Sequence, residues 1–155
     1  AGSITWRQLL DICPSPINPC RMWLSGEKIM VALEEALLPE YTQMPIRGFG
    51  FRGKVLGGLC LSGIDVKYDP NRPPYRKIRS VHVGGKPLDL DAEYSVGTID
   101  MFTFGIGYTS LKDGRDIQFF LPEFIRDVLR ARLSSRRTLM EAIVRSKRPH
   151  WMVSS

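Results

Sequence analysis

Two short stretches carry the side chains best suited to binding chemistry. The first is Arg47-Gly48-Phe49-Gly50-Phe51-Arg52-Gly53-Lys54, where rings, cations and glycines alternate. Phe49 and Phe51 could stack on a heterocyclic base, an interaction of about 1–3 kcal/mol per base that tolerates any base. Arg52, with Arg47 and Lys54 beside it, could take a phosphate through the two-pronged guanidinium fork. The glycines would let the backbone approach a ligand closely. The alternative is that both rings simply pin a long loop onto the core. The second stretch is Met101-Phe102-Thr103-Phe104-Gly105-Ile106-Gly107-Tyr108, directly after an expected strand. Loops at strand ends commonly hold ligands. If the strand continues, alternation puts Phe102 and Phe104 on one side and Met101 and Thr103 on the other. We expect one ring in the core and one at a cleft between the two stretches. Asn18, set among Pro14, Pro16 and Pro19, is either a turn residue or a ligand contact.

Other catalytic chemistries find little support. His82 and His150 lie far apart, and His82 between Val81 and Val83 is expected to face water. Asp65, Asp69, Asp89 and Asp91 fall near turns or strand faces and form no paired-carboxylate acid–base site. Neither Gly-x-x-x-x-Gly-Lys-Ser nor Gly-x-Ser-x-Gly occurs, and Gly105-Ile106-Gly107 lacks the strand–turn–helix setting of a dinucleotide site. Cys13, Cys20 and Cys60 have no Cys-x-x-Cys spacing, which argues against zinc. A Cys13–Cys20 bridge is conceivable, but buried thiols fit better and lean toward a reducing, cytoplasmic compartment.

With 155 residues, 43% of them apolar, the chain suits one domain with a full core. No apolar run reaches about 18 residues, so neither a membrane span nor a membrane partner is expected. The net charge of +6 attracts anions. It is skewed toward the end: Arg126, Arg130, Arg132, Arg136, Arg137, Arg145, Lys147 and Arg148. Phosphorylated small molecules, nucleic acid and a merely solvated surface are all compatible with that excess.

The elements that must position these groups follow from local patterns. Thr5 reads as an N-cap, with Gln8 three residues on to close a capping box. Trp6, Leu9, Leu10 and Cys13 give the buried spacing of a helix that Pro14 and Pro16 stop. Cys20–Leu24 is a candidate strand. Ser25-Gly26 opens a second helix whose buried stripe is Ile29, Leu33, Ala36 and Leu37, ended by Pro39. Residues 44–58 form a glycine-rich loop. Leu59, Leu61, Ile64, Val66 and Tyr68 alternate as a strand broken at Ser62-Gly63. Further strands are expected at Ile78–Val83, Tyr94–Asp100 and Asp116–Phe120. Pro122 suits the first residue of a helix carrying Phe124, Ile125, Val128, Leu129 and Leu133, and a last basic helix spans about Thr138–Arg145. This order predicts an α/β (α+β) domain, layered, with a mixed β-sheet and flanking helices. Residues 1–134 would be the domain proper and 135–155 a basic helical extension packed on it.

Several motifs in order sharpen the reading. They are Ile4-Thr5-Trp6, the turn Pro14-Ser15-Pro16-Ile17-Asn18, Leu24-Ser25-Gly26, Ser62-Gly63 leading to Tyr68-Asp69-Pro70, and Tyr94-Ser95-Val96. Together they resemble the C-terminal domain of the 5'-nucleotidase, UDP-sugar hydrolase and 2',3'-cyclic phosphodiesterase family of two-domain metallophosphatases, over roughly residues 3–134. The resemblance implies a division of labour. An N-terminal domain of the same polypeptide, absent from this chain, would hold two divalent metal ions and the attacking water. The C-terminal domain would sandwich the base between aromatic rings and steer the phosphate of a nucleotide or related ester. It implies that this chain carries no metal of its own and hydrolyses nothing alone. Nucleic acid becomes an unlikely partner, kept only as an alternative that uses the basic C-terminal helices. Members of the family are often exported, which pulls against the cysteine argument. The chain departs from the family at the second aromatic loop: Ile99 to Tyr108 is one residue shorter than Asn-Asp-Phe-Leu-x-x-Gly-Gly-Asp-Gly-Tyr, Met101 stands where Phe is usual, and the loop Asp is missing. The first family aromatic falls near Gly58, and the nearest rings are Phe49 and Phe51. The substrate-contact set carried by this reading is Asn18, Phe49, Phe51, Arg52, Phe102, Phe104 and Tyr108.

Overall fold

The structure, a computed structural model, describes residues 4–48, 55–146 and 149–154, without the side chains of 136, 138, 139, 145 and 146. Along the chain these form α1 (Trp6–Ile12), β1 (Pro19–Ser25), α2 (Gly26–Glu35), α3 (Pro39–Thr42), β2 (Ile64–Tyr68), β3 (Ile78–Val83), β4 (Lys86–Pro87), β5 (Glu93–Ile99), α4 (Asp100–Thr103), a 3-10 helix (Thr109–Asp113), β6 (Arg115–Phe119), α5 (Ile125–Leu133), α6 (Arg136–Ser146) and β7 (Trp151–Val153).

The mixed α/β class is as expected, with the strands divided between two sheets. One has the order β5-β1-β6 and is antiparallel throughout; the other has the order β4-β3-β2-β7 and is mixed, because β7 runs parallel to β2. Strand β1 is central in its sheet and alternates strictly, with Cys20, Met22 and Leu24 buried and Arg21 and Trp23 outward. Its last residue, Ser25, is also the N-cap of α2, its Oγ accepting from the Lys28 amide at 3.3 Å. Gly26 follows because no side chain fits: a Cβ there would stand 2.0 Å from the Asp89 carbonyl oxygen.

Helix α2 is the pivot of the core. Ala32 and Ala36 pack with Met22, Leu24, Tyr108 and Leu111 of the first cluster. Leu33 packs with Val66 and Val81 of the second. Ile29 and Trp151 touch both clusters, so α2 and the C-terminal strand hold the two sheets together. Trp151 also donates Nε1–H to the Leu59 carbonyl at 3.0 Å.

Four local expectations change. Leu59 and Leu61 belong to no strand, and β2 begins only after Gly63, whose φ of +77° turns the chain. Helix α5 starts at Ile125 rather than Pro122, which follows a cis peptide bond; the Ile17 carbonyl binds the Ile125 amide and Asp127 accepts from the Phe124 amide at 2.9 Å, fixing the start there. Trp6 is 48% exposed, since α1 turns only Leu9 fully into the core and the Trp6 ring lies under the Arg130 guanidinium, 5.6 Å away. Finally, Asp100–Thr103 is a helical turn, so alternation does not place Phe102 and Phe104 together.

Candidate substrate cleft

The glycine-rich loop is closed at its base by backbone pairing. Pro45 and Val55 form an isolated antiparallel bridge, the Leu56 amide donates to Met44 O at 2.9 Å, and the Gly57 amide donates to Thr42 O at 2.9 Å. Phe49, Phe51, Arg52 and Lys54 lie outside the described residues. Their loop's anchored foot, Leu56-Gly57, lies directly against the other aromatic stretch. The Tyr108 hydroxyl donates to the Gly57 carbonyl. Gly107, at φ +93°, is pressed so closely that a Cβ would meet Leu56 Cδ1 at 3.0 Å and Phe102 Cε1 at 3.1 Å. A cavity of about 680 Å³ opens beside this junction, with Leu56, Leu59 and Cys60 on one wall and Val96, Met101 and Phe102 on another. It is concave and mainly apolar, the usual character of a small-molecule site.

The expected contact residues separate into two groups. Phe102 is half-buried, lines the cavity and meets Tyr108 edge-on at 5.7 Å. Phe104 is 64% exposed and stacks with Phe119 at 6.5 Å and 17°. Tyr108 is instead a core residue. Only 1% of it is exposed, and Tyr41 stacks on it at 6.1 Å. Burial, helped by the nearby Cys60 and Glu35, pushes its phenol up to about 12. Asn18 is a clamp: Nδ2 donates to Glu123 O at 2.7 Å while its carbonyl accepts from the Asp100 amide at 3.0 Å. It ties the entry of β1 to the first residue of α4 and the approach to α5.

Sequence reasoning missed the groups that hold the aromatic turn from behind. Glu35, 3% exposed at the end of α2, accepts from Thr109 Oγ1 at 2.8 Å, Ser110 Oγ at 2.8 Å and the Ser110 amide at 3.3 Å. It therefore fixes the 3-10 helix that directly follows Tyr108. Tyr41, stacked on Tyr108, shares a hydroxyl contact of 3.2 Å with Tyr75. The available signal was two adjacent glutamates inside an otherwise apolar helical stripe.

Of the cysteines, exposed Cys60 lines the cavity while Cys13 and Cys20 do not. Burial, with the Asp100 charge second, pushes the Cys20 thiol up to about 11, and burial also raises Cys13. Among the described residues no three His, Cys, Asp or Glu gather as a metal site. His150 Nδ1 lies 3.1 Å from Asp65 Oδ1, where the pair joins the chain before β7 to β2.

A family model described as "5'-nucleotidase, C-terminal domain" matches residues 1–113. The chain belongs to this family. It is 33% identical over 134 residues to the Bacillus subtilis (strain 168) metallophosphoesterase YunD, a match that takes in 86% of the chain and 29% of the relative's length. The chain thus spans less than a third of that relative. Among solved structures, a Staphylococcus aureus protein provisionally described as a 5'-nucleotidase superposes with a TM-score of 0.71 at 18% identity, over 98% of this chain and 30% of its own. At that identity it speaks for the fold alone. A 5'-nucleotidase precursor from Thermus thermophilus gives 0.57 at 27% identity, over 76% of this chain and 22% of its own. Within this 5'-nucleotidase C-terminal domain the recurring motifs are joints. Leu24-Ser25-Gly26 turns β1 into α2, Ser62-Gly63 enters β2, and the Tyr94 hydroxyl accepts from the Asp89 amide at 2.9 Å.

Proposed function

We propose that this domain recognises and orients the substrate of a metallophosphoesterase that hydrolyses nucleotides or related phosphate esters. The chemistry then resides in an N-terminal metallophosphatase domain of the same polypeptide. Two divalent ions bound there would stabilise the attacking and leaving oxygens. The residues of this chain supply position and orientation, which lower the barrier by making the encounter intramolecular.

The observation that supports the reading is the contact of the loop's foot, Leu56-Gly57, with the second aromatic stretch. Phe102 lines the same cavity as Leu56, at the foot of the loop bearing Phe49, Phe51 and Arg52. In this reading a base stacks against Phe102 or Phe104 from the turn and Phe49 or Phe51 from the loop, and Arg52 faces the phosphate. Tyr108, which also lines the cavity, and Asn18 shape the turn. Free nucleotide should bind weakly. Stacking of about 1–3 kcal/mol per ring hardly offsets an association cost of several kcal/mol when the phosphate contacts of a second domain are missing.

An NMR titration with nucleoside monophosphates at millimolar concentration tests the location. Amide shifts should cluster at Leu56–Cys60 and Met101–Tyr108. Shifts confined to Arg126–Arg145, with both stretches silent, would reject the cleft and favour a nucleic-acid surface.

A further inference from the structure

One wall of the cleft, Gly58-Leu59-Cys60-Leu61-Ser62, belongs to no helix or strand. The chain is pinned on either side of it. Before it, the Gly57 amide donates to Thr42 O at 2.9 Å and the Gly57 carbonyl accepts from the Tyr108 hydroxyl. After it, the Gly63 carbonyl accepts from the Gly84 amide at 3.2 Å. Among the described residues, a single hydrogen bond reaches the backbone of the wall itself: Trp151 Nε1–H donates to Leu59 O at 3.0 Å. Gly58, Cys60 and Ser62 are exposed, and Leu59 and Leu61 only half-buried. A segment with so few bonds and so little burial opens easily unless a tertiary contact holds it.

The donor is held far more firmly than the acceptor. Trp151 opens β7 and stands opposite Val66 in the parallel pair with β2. The Val66 amide donates to His150 O at 2.7 Å, and the Ser154 amide donates to Tyr68 O at 2.8 Å, so the strand is fixed on both sides of the tryptophan. The indole meets the Tyr68 ring edge-on at 5.8 Å and 90° and packs against both core clusters. A buried indole N–H usually finds some partner. Here the partner is a wall residue of the cleft, although Trp151 itself does not line the cavity. The contact also comes from beyond residues 1–113, the part of the chain that the family model matches.

We propose that Trp151 is a positioning residue of the substrate cleft. By holding Leu59 it keeps the Leu59–Leu61 wall at a fixed distance from Val96, Met101 and Phe102 on the other wall, and so prepares the gap that a base enters. The proposal rests on the reading of this cleft as the nucleotide site. A wall left free must be ordered at each binding event, and that ordering is subtracted from the affinity; a wall fixed in advance avoids the loss. The C-terminal strand thereby acts on ligand binding without touching the ligand.

Trp151→Phe tests it, because the variant keeps a ring against Tyr68 and removes the donor. Backbone NMR order parameters of Leu59–Leu61 should fall from the rigid range, about 0.85, toward about 0.6, while those of β1 and β2 stay high. Affinity for a nucleoside monophosphate, read from an NMR titration, should weaken about fivefold, the worth of one neutral hydrogen bond. The wild type gives a second signature that needs no variant and decides alone if Trp151→Phe does not fold. Saturation with the nucleotide should shift the Trp151 Nε1–H resonance and leave those of Trp6 and Trp23 in place. Unchanged order parameters and affinity in Trp151→Phe overturn the proposal and leave the cleft reading standing. So does a stationary Trp151 indole while the cleft amides shift, and so does a lower unfolding midpoint with unaltered nucleotide affinity, which would make Trp151 a packing residue only. Cleft amides that stay silent in the wild type overturn both the proposal and the reading it rests on.

Discussion

Glu34 and Glu35 are consecutive on α2, both buried, and they serve opposite halves of the molecule. Glu34 reaches the four-stranded sheet, where its two oxygens accept from the Lys77 and Ile78 amides at 3.1 and 2.8 Å and fix the start of β3. Glu35 reaches the cleft, where it holds Thr109 and Ser110 behind the aromatic turn. On the sheet side the carboxylate completes a regular element that the β2–β3 ladder already specifies. On the cleft side it substitutes for regular structure, because Gly105, Ile106 and Gly107 form no ladder. A buried polar anchor thus has a local, redundant effect in one place and sets the geometry of a binding surface in the other.

The largest effect expected from this contrast comes from Glu35→Ala. It strands the buried Ser110 amide and hydroxyl, removes one bond from exposed Thr109, and should cost about 2–4 kcal/mol in denaturant unfolding. Glu34→Ala strands two amides and should cost slightly less. The pair divides on a second readout. NMR signals of Met101–Tyr108 should move in the Glu35 variant and stay in place in the Glu34 variant. Comparable movement in both would erase the distinction between the two halves.

Tyr108 offers a smaller and pH-dependent test of the same side. Tyr108→Phe removes the hydroxyl bond to Gly57 O and should cost about 1–2 kcal/mol. Folding holds its phenol at about 12, above the ordinary 10.0. The folded state therefore binds the proton more tightly than the unfolded chain. This contribution to stability is complete below about pH 10 and is lost as pH rises from there through about 12. Tyr75 titrates in the same window, held up to about 12 first by its hydroxyl contact with Tyr41 and then by burial. The Tyr108→Phe stability curve should be flatter over that window, and more so than that of Tyr75→Phe, since Tyr75 is 48% exposed. An identical alkaline fall in the wild type and Tyr108→Phe would show that the Tyr108 phenol is not the coupled group.

What could be read from the sequence was whatever one or two residues decide locally. The Thr5–Gln8 box, the helix start at Ser25-Gly26 and the candidate strand at Cys20–Leu24 are all decided within a few residues. What could not be read depended on distant partners. Phe102 and Phe104 part company because α4 replaces two residues of extended chain with a helical turn. Tyr108 is drawn into the core by Tyr41 and Gly57, 67 and 51 positions away. Asn18 is occupied by Glu123, which no spacing rule connects to it. Trp6 stays largely outside, with the Arg130 guanidinium of α5 over its ring. That a ring of the second stretch would face a cavity was therefore legible, and which surroundings Phe102, Phe104 and Tyr108 would each take was not.

The smallest effect concerns a cap built with the same logic as Glu35 but exposed to water. Thr5 Oγ1 accepts from the Gln8 amide at 3.3 Å, and Gln8 Oε1 accepts from the Thr5 amide at 2.9 Å. When Thr5→Ala removes the first bond, water can satisfy the Gln8 amide, a relief that buried Ser110 does not have. The cost should be about 1 kcal/mol, below that of Glu35→Ala even though both side chains serve the start of a helix. The cleft signals should not move, since the main contact of α1 is with α5. Equal losses from Thr5→Ala and Glu35→Ala would mean that burial does not set the worth of these caps. An unchanged midpoint and slope for Thr5→Ala would mean that the capping box contributes nothing to the folded state in solution.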